Sequence, residues 1–269
     1  MNPRTFVQAV SLETRTQLSY RADFWTNFLL GVITFVVANY VLWRAVFLSR
    51  GSDRIGGYTL PDMVLYVLLT ACVMRVSFGP MRGDISQEIY TGGINKYLVY
   101  PVSFHAFKYA GHLAYSLVSL AQMGLALALA LPLVGLEPFA RVSPHMAFIG
   151  VVASLLAGYL YFVFNALMEM VSFWAENVWS LSVLLRFATL FLGGGLAPLA
   201  LFPEWAQVAV RYTPFPYVLS FPVRCLQGLA TESEVVFSFA VLAVWIAVGC
   251  ALFALMFRRG LRIYSGVGI

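Results

Sequence analysis

The sequence predicts an all-α integral membrane protein with six transmembrane helices. Of its 269 residues, 61% are hydrophobic and only 11% are charged, and its mean hydropathy is +0.82. A soluble domain carries about 25% charged residues, so this chain has too little charge to cover a surface that faces water. Long apolar runs recur along it, and about 20 apolar residues cross a bilayer core of roughly 30 Å. This composition excludes a soluble domain and, despite the net charge of +5, a free nucleic-acid binder.

The predicted spans follow the apolar runs. The first, third, fourth and sixth spans are free of charge through their centres, whereas the second carries Asp62 and Arg75 near its ends and the fifth contains Arg186. The six spans cover residues 24–47, 60–80, 104–134, 145–170, 178–197 and 235–257.

An even number of spans places both termini on one side of the membrane. If that side is the cytoplasm, eleven of the 17 Lys and Arg residues lie inside. Lys and Arg are enriched in the cytoplasmic loops of membrane proteins, so the sequence predicts cytoplasmic termini.

Residues 4–22 are predicted to form a helix that lies on the cytoplasmic membrane surface. Phe6, Val7, Val10 and Leu18 fall loosely on one face, and polar residues fill the rest of the turn, as in interfacial helices. A solvated tail is the alternative.

A short helix at 84–92, on the cytoplasmic side between the second and third spans, is the most informative prediction. Gly92-Gly93 ends it, as glycines commonly do. So short a helix is not stable alone in water, so we expect it to have a partner surface; a plain structured loop is the alternative. The residues expected to contact that partner are Asp84, Ile85, Gln87, Glu88, Ile89, Tyr90, Gly92 and Gly93.

Residues 198–232 are predicted to re-enter the outer leaflet as short helices after a break at Gly193-Gly194-Gly195. Five prolines interrupt this stretch, which is too broken to span a membrane and too apolar for a free loop. Irregular backbone at membrane depth is tolerated only where it is buried in protein or lines water.

The motifs of soluble catalysis are absent from the sequence. No phosphate-binding GxxxxGK[ST] motif, HExxH zinc motif or GxSxG nucleophile motif occurs, and His105, His112 and His145 are scattered. We therefore expect no catalytic residue, no metal site and no cofactor held by this chain.

Arg186 is the charge that the membrane makes most costly, because it lies about eight residues into its span. An ionisable residue at that depth points to a pathway or a buried partner, and Glu169 or Glu176 could supply the carboxylate. Alternatively its long side chain reaches back to the headgroups. The same alternatives hold for Arg75, which lies nearer the end of its span.

Several motifs, in this order, carry a resemblance to a known family. They are Gly83-Asp84-Ile85, Glu88-Ile89, Gly92-Gly93-Ile94, Pro101-Val102-Ser103 and Phe202-Pro203-Glu204-Trp205. Together they resemble the permease subunits of type 2 ATP-binding-cassette (ABC) exporters, of the bacterial branch. Thr91, Ile94 and Asn95 depart from that branch's usual Ser, Leu and acidic residue.

The resemblance implies a division of labour in the bacterial cytoplasmic (inner) membrane. A second permease, identical or a sibling, would pair with this chain among membrane lipids. A separate ATPase dimer would bind ATP and Mg, and residues 84–92 would be the coupling helix that docks on it. The cargo would be a drug, an organic cation or a lipid-like compound. A membrane assembly protein of the same fold and an intramembrane enzyme are the alternatives.

Overall fold

The computed structural model describes residues 2–19, 21–79, 83–99, 103–134 and 141–264. These residues are helical, with no strand among them, which confirms the predicted all-α class. The α-helices are α1 (Pro3–Ser19), α2 (Arg21–Arg50), α3 (Leu60–Phe78), α4 (Asp84–Tyr90), α5 (Asn95–Val99), α6 (Phe104–Val134), α7 (Pro144–Met170), α8 (Trp179–Leu192), α9 (Glu204–Val210), α10 (Phe215–Val218), α11 (Ser220–Leu226) and α12 (Glu232–Ile263).

Five of these helices are long and apolar enough to cross a membrane: α2, α3, α6, α7 and α12. They correspond to the first, second, third, fourth and sixth predicted spans. Residue 80, where the second span was predicted to end, lies outside the described residues, as do Pro101 and Val102 of the loop motif. The chain is therefore a multi-pass membrane protein.

The helix in the fifth predicted span, 178–197, is shorter than the prediction. α8 has 14 residues, which gives it a length of about 21 Å, less than the roughly 30 Å of a bilayer core. It ends where Gly194 takes a left-handed φ of 82°. The chain then turns back, and Ser220 N–H donates to the carbonyl of Gly193 over 3.0 Å. These contacts end the helix at a point where hydropathy alone predicts that the span continues.

α3 is the most buried of the five long helices and packs against α2, α6 and α7. Small residues bring the backbones together: Ser116 Oγ of α6 donates to the carbonyl of Val76 over 2.7 Å. A side chain at Gly158 of α7 would lie 3.3 Å from the same carbonyl oxygen. Close approach through small residues is how helices associate in lipid.

The two ends of the bundle differ. At one end, called the α4 end below, lie α1, α4, α5 and the C-terminal turns of α7 and α12. α1 runs along the first half of α6, where Phe6 stacks on Tyr109 at 6.3 Å between ring centroids. The opposite end holds α9, α10 and α11, and α11 packs so closely on α7 that a side chain at Gly150 would lie 2.6 Å from Leu226.

Candidate functional site

α4 is held against the bundle by its apolar side. Ile85 and Ile89, four residues apart, are buried, and Ile94 in the following turn is fully buried. They pack in one cluster with Met170 of α7 and Phe253 of α12. The helix ends at Thr91, whose N–H donates to the carbonyl of Gln87 over 3.0 Å, and Gly92 then takes a φ of 75°.

A carboxylate from α7 secures the beginning of α4. Glu169 Oε2 accepts the backbone N–H of Ile85 over 2.7 Å and that of Ser86 over 3.3 Å, while Asn165 donates to Oε1 over 2.7 Å. The first N–H groups of a helix lack partners within it and carry the positive end of its dipole. Glu169 therefore accepts the hydrogen bonds of these donors and places a carboxylate at the positive end of the helix dipole.

Glu88 lies inside a second polar cluster. Its Oε1 accepts hydrogen bonds from Lys108 Nζ over 2.8 Å, Lys96 Nζ over 2.9 Å and Tyr97 Oη over 3.1 Å. Burial opposes ionisation of this carboxyl, but hydrogen bonds to Lys108 and Lys96 and their charges outweigh it and hold the pKa of Glu88 below its ordinary value. Burial is the main cause that raises the pKa of the Tyr97 hydroxyl, and the negative charge of Glu88 raises it further. The cluster ties α4 to α5 and to the first turn of α6.

The outer side of α4 is polar and exposed. Asp84, Gln87 and Thr91 follow one another at spacings of three and four residues, and all three are exposed. They form a ridge that points away from the bundle, called the α4 ridge below. Tyr90 lies beside it, and its Oη donates to the carbonyl of Ala175 over 3.1 Å.

The eight residues predicted at 84–93 thus have distinct environments. Asp84 and Gln87 are exposed, Ile85 and Ile89 are buried anchors, and Glu88 faces Lys108. Gly93 lies where a side chain would come within 3.0 Å of Glu88 Oε2. Sequence reasoning missed the anchoring roles of Glu169 and Lys108 and the exposure of Thr91. Among these, only the helical spacing of Thr91 from Asp84 could have been recognised from the sequence.

No group of three or more His, Cys, Asp or Glu side chains in the described ranges could hold a metal ion. The site is therefore a set of packing and hydrogen-bonding contacts around a short helix, at one end of a membrane bundle. Such an arrangement can transmit force between α4 and the long helices α7 and α12.

Comparison with known families decides the class. The family described as ABC-2 family transporter protein matches residues 32–268, which is most of the chain and includes the whole α4 site. The chain belongs to the ABC-2 transporter family. It is a permease component of an ABC transporter, and the family implies an ABC ATPase as its partner. No curated protein matches the chain.

Arg186 of this permease makes no ion pair with Glu169 or Glu176, the two carboxylates predicted for it, among the residues that the structure describes. Its guanidinium lies over the ring of Phe78, 5.0 Å from the centroid. Glu169 instead binds α4, and Glu176 is exposed. The predicted pairing was wrong because Glu169, on the last turn of α7, is taken by backbone donors of α4. Arg186 connects α8 to α3 through a cation–π contact.

Arg75 connects three helices of the permease. Its Nε donates to Gln122 Oε1 of α6 over 3.0 Å. Its guanidinium also lies 5.3 Å from the ring centroid of Phe28 and 5.8 Å from that of Tyr115. These contacts join α2, α3 and α6 at the depth of Arg75.

Two aromatic residues of α3 are packed inside the permease. Phe78 stacks on Tyr161 at 4.5 Å between centroids, and Tyr66 Oη donates to the carbonyl of Gly194. Phe187 and Phe191 of α8 are exposed instead.

Proposed function

We propose that this permease forms half of the translocation pathway of an ATP-driven exporter in the bacterial cytoplasmic membrane. In this proposal α4 is the coupling helix and seats in a separate ATPase subunit that binds ATP and Mg. Cargo is released at the opposite end of the bundle. The family membership supports the ATPase partner, whereas the direction of transport rests on the resemblance of the loop and late motifs to exporters.

The two-sided character of α4 carries the coupling proposal. The α4 ridge is free for a partner, while Glu169 and the buried isoleucines bind the inner side to α7 and α12. A closing ATPase dimer that moves the ridge would therefore move two long helices with it. A ligand that binds one arrangement better than the other shifts the equilibrium between them.

α1 has a supporting role in this proposal. Glu13 and Gln17 of α1 line the same cavity of about 170 Å³ as Asp84 and Glu169. Val7 and Leu12 of α1 are exposed apolar side chains. We infer that α1 lies on the cytoplasmic membrane surface and braces α4, with both termini of the chain on that side.

The cargo and the second subunit are proposed from the exposed aromatic face of α8. Leu184, Phe187 and Phe191 follow a helical spacing and are all more than half exposed. A second permease, identical or a sibling, that faces this stripe would enclose an apolar aromatic wall. Aromatic faces attract cations, so a drug or organic cation is the favoured cargo, with a lipid-like compound second.

The test compares two acidic residues in matched positions. Asp84 and Glu204 are both exposed, and each is the first residue of a seven-residue helix, one at either end of the bundle. The tagged full chain is purified from native membranes with its ATPase, and both co-purification and ATP hydrolysis are measured. We expect Asp84→Arg to lose most of the associated ATPase activity, and Glu204→Arg to keep the wild-type value.

Three results would change the proposal. Equal behaviour of the two variants would remove α4 as the coupling element. Absence of any co-purifying ATPase would contradict the coupled complex and favour an intramembrane enzyme. A complex whose ATPase activity depends on Asp84, but which moves no drug or organic cation into inverted vesicles, would favour an assembly role for the same fold.

A further inference from the structure

A groove of about 580 Å³ opens on the side of the bundle near the α4 end, between α6, α7 and α12. It is separate from the α4 ridge and from the exposed face of α8. Its walls are mostly apolar and aromatic, and Ala254, the smallest lining side chain, is exposed on its α12 side. The aromatic lining residues are Tyr97, Phe104, Tyr159, Phe253 and Phe257.

Three polar side chains on the floor of the groove bond to one another, whereas His105 Nδ1 is buried without a hydrogen-bond partner among the described residues. His105 Nε2 lies 3.0 Å from Tyr159 Oη, and Tyr159 Oη lies 3.3 Å from Cys250 Sγ. These side chains come from three different helices, α6, α7 and α12. Because Tyr159 Oη and its two partners are directed at each other and the surrounding walls are aromatic, the groove suits a hydrocarbon chain.

One charge stands at the mouth of the groove. Arg258 lines it and is exposed, and no carboxylate pairs with Arg258 in the part of the chain that the structure describes. Eight residues separate Arg258 from Cys250, so along α12 the cation lies about 12 Å from the floor. Arg259 and Arg262 add positive charge nearby, outside the groove.

We propose that this groove binds an anionic phospholipid from the surrounding bilayer. One acyl chain lies along the aromatic walls towards Cys250, and the phosphate pairs with Arg258. The charge complementarity selects this occupant, because an apolar channel that ends in an exposed arginine matches an amphiphile with a negative head. Basic pockets between membrane helices bind anionic headgroups in this way. The proposal does not depend on the direction of transport or on α4 as the coupling helix.

The experiment uses the full chain, purified in mild detergent and stripped of lipid. Dioleoyl phosphatidylglycerol or dioleoyl phosphatidylcholine is added back, and native mass spectrometry counts the bound lipids. Arg258→Gln is compared with Arg259→Gln, which removes the neighbouring charge outside the groove. Ala254→Trp, which fills the groove, is compared with Leu252→Trp at an exposed position of α12 that does not line it.

We expect the wild type to bind more phosphatidylglycerol than phosphatidylcholine. Arg258→Gln should reduce that preference about fivefold, because one cation near an anionic headgroup contributes about 1 kcal/mol to binding. Arg259→Gln and Arg258→Lys should retain it, and Ala254→Trp should lose both lipids where Leu252→Trp keeps them. Equal losses in Arg258→Gln and Arg259→Gln would overturn the proposal in favour of diffuse charge at the end of α12. Unchanged binding in Ala254→Trp would show that no lipid occupies the groove. Arg258 is exposed, so its variants test the proposal even if Ala254→Trp fails to fold.

Discussion

Glu169 Oε2 lies 2.7 Å from the backbone nitrogen of Ile85 and accepts its N–H. This bond joins the last turn of a membrane-spanning helix to the first turn of a short helix that precedes it by more than 80 residues in the chain. Glu169 is buried, so the pair is shielded from water. A hydrogen-bond donor left without an acceptor in such surroundings is costly. We regard it as the central link between α4 and the bundle.

Replacing Glu169 should loosen α4. Glu169→Ala leaves the N–H groups of Ile85 and Ser86 without their acceptor, at a cost of about 1–3 kcal/mol. We expect a lower Tm in detergent and weaker ATPase stimulation. Glu176→Ala is the control, because Glu176 is exposed on the same side of the bundle. Matching Tm values for the two variants would contradict the anchoring role.

Glu88 should give the permease an acid-sensitive contact. The pKa of its carboxyl lies below the ordinary value of 4.5, so in acid the unfolded chain takes up this proton before the folded chain does. Its contribution to stability is therefore present above pH 4.5 and is lost as the pH falls through the lowered pKa.

We accordingly expect the Tm difference between wild type and Glu88→Gln to be constant near neutral pH and to shrink below pH 4.5. Thermal unfolding at several pH values measures it, with Glu204→Gln at the opposite end as control. Glu88→Lys would set a third cation beside Lys96 and Lys108, so it should impair folding of the loop as well as coupling. A Tm difference between wild type and Glu88→Gln that stays constant down to the lowest pH would exclude this role for Glu88.

Gly193 should resist substitution, unlike Gly31 on α2. A Cβ there would lie 2.4 Å from the carbonyl oxygen of Thr189 and 2.8 Å from that of Phe215. We expect Gly193→Ala to cost about 1–3 kcal/mol, as overpacking does. Gly31→Ala is the control, because a Cβ at Gly31 on α2 meets nothing within 4 Å. Thermal unfolding compares them, and equal Tm values would mean that α8 does not end in the tight turn described.

Arg186 should matter more to stability than Arg141. Arg186→Ala removes the cation–π contact with Phe78, which is worth up to about 2 kcal/mol where water is excluded. Arg141 is half exposed and pairs over 3.2 Å with the buried Asp62. Asp62 keeps its hydrogen bonds from Thr59 when Arg141 is removed, and an ion pair with an exposed partner contributes about 0–1 kcal/mol. We expect Arg186→Ala to lower the Tm more than Arg141→Ala does. The reverse order would exclude the contact with Phe78 as a stabilising one.

Local patterns in the sequence predicted much of this architecture. The apolar runs identified five long helices, because hydropathy and length are properties of a single segment. The polar and apolar alternation before Gly92-Gly93 identified α4 for the same reason. The sequence predicted a break at Gly193-Gly194-Gly195 but carried the fifth span on to residue 197, whereas α8 ends at Leu192. The turn there depends on contacts of Gly193 and Gly194 with Ser220 and Tyr66 from other segments.

By itself, the sequence determined that the chain is a membrane protein, where its five long apolar helices lie, and where a short polar helix interrupts them. Those properties follow from composition and from periodicity within one stretch. Only the tertiary structure decided the partners of the carboxylates. Glu169 binds backbone N–H groups of α4 and not Arg186, and Glu88 pairs with Lys108 and does not face solvent alone. The reason is physical, since a carboxylate shielded from water takes the nearest unpaired donors in space. The N–H of Ile85 lies 84 positions from Glu169 along the chain, and Lys108 lies 20 positions from Glu88.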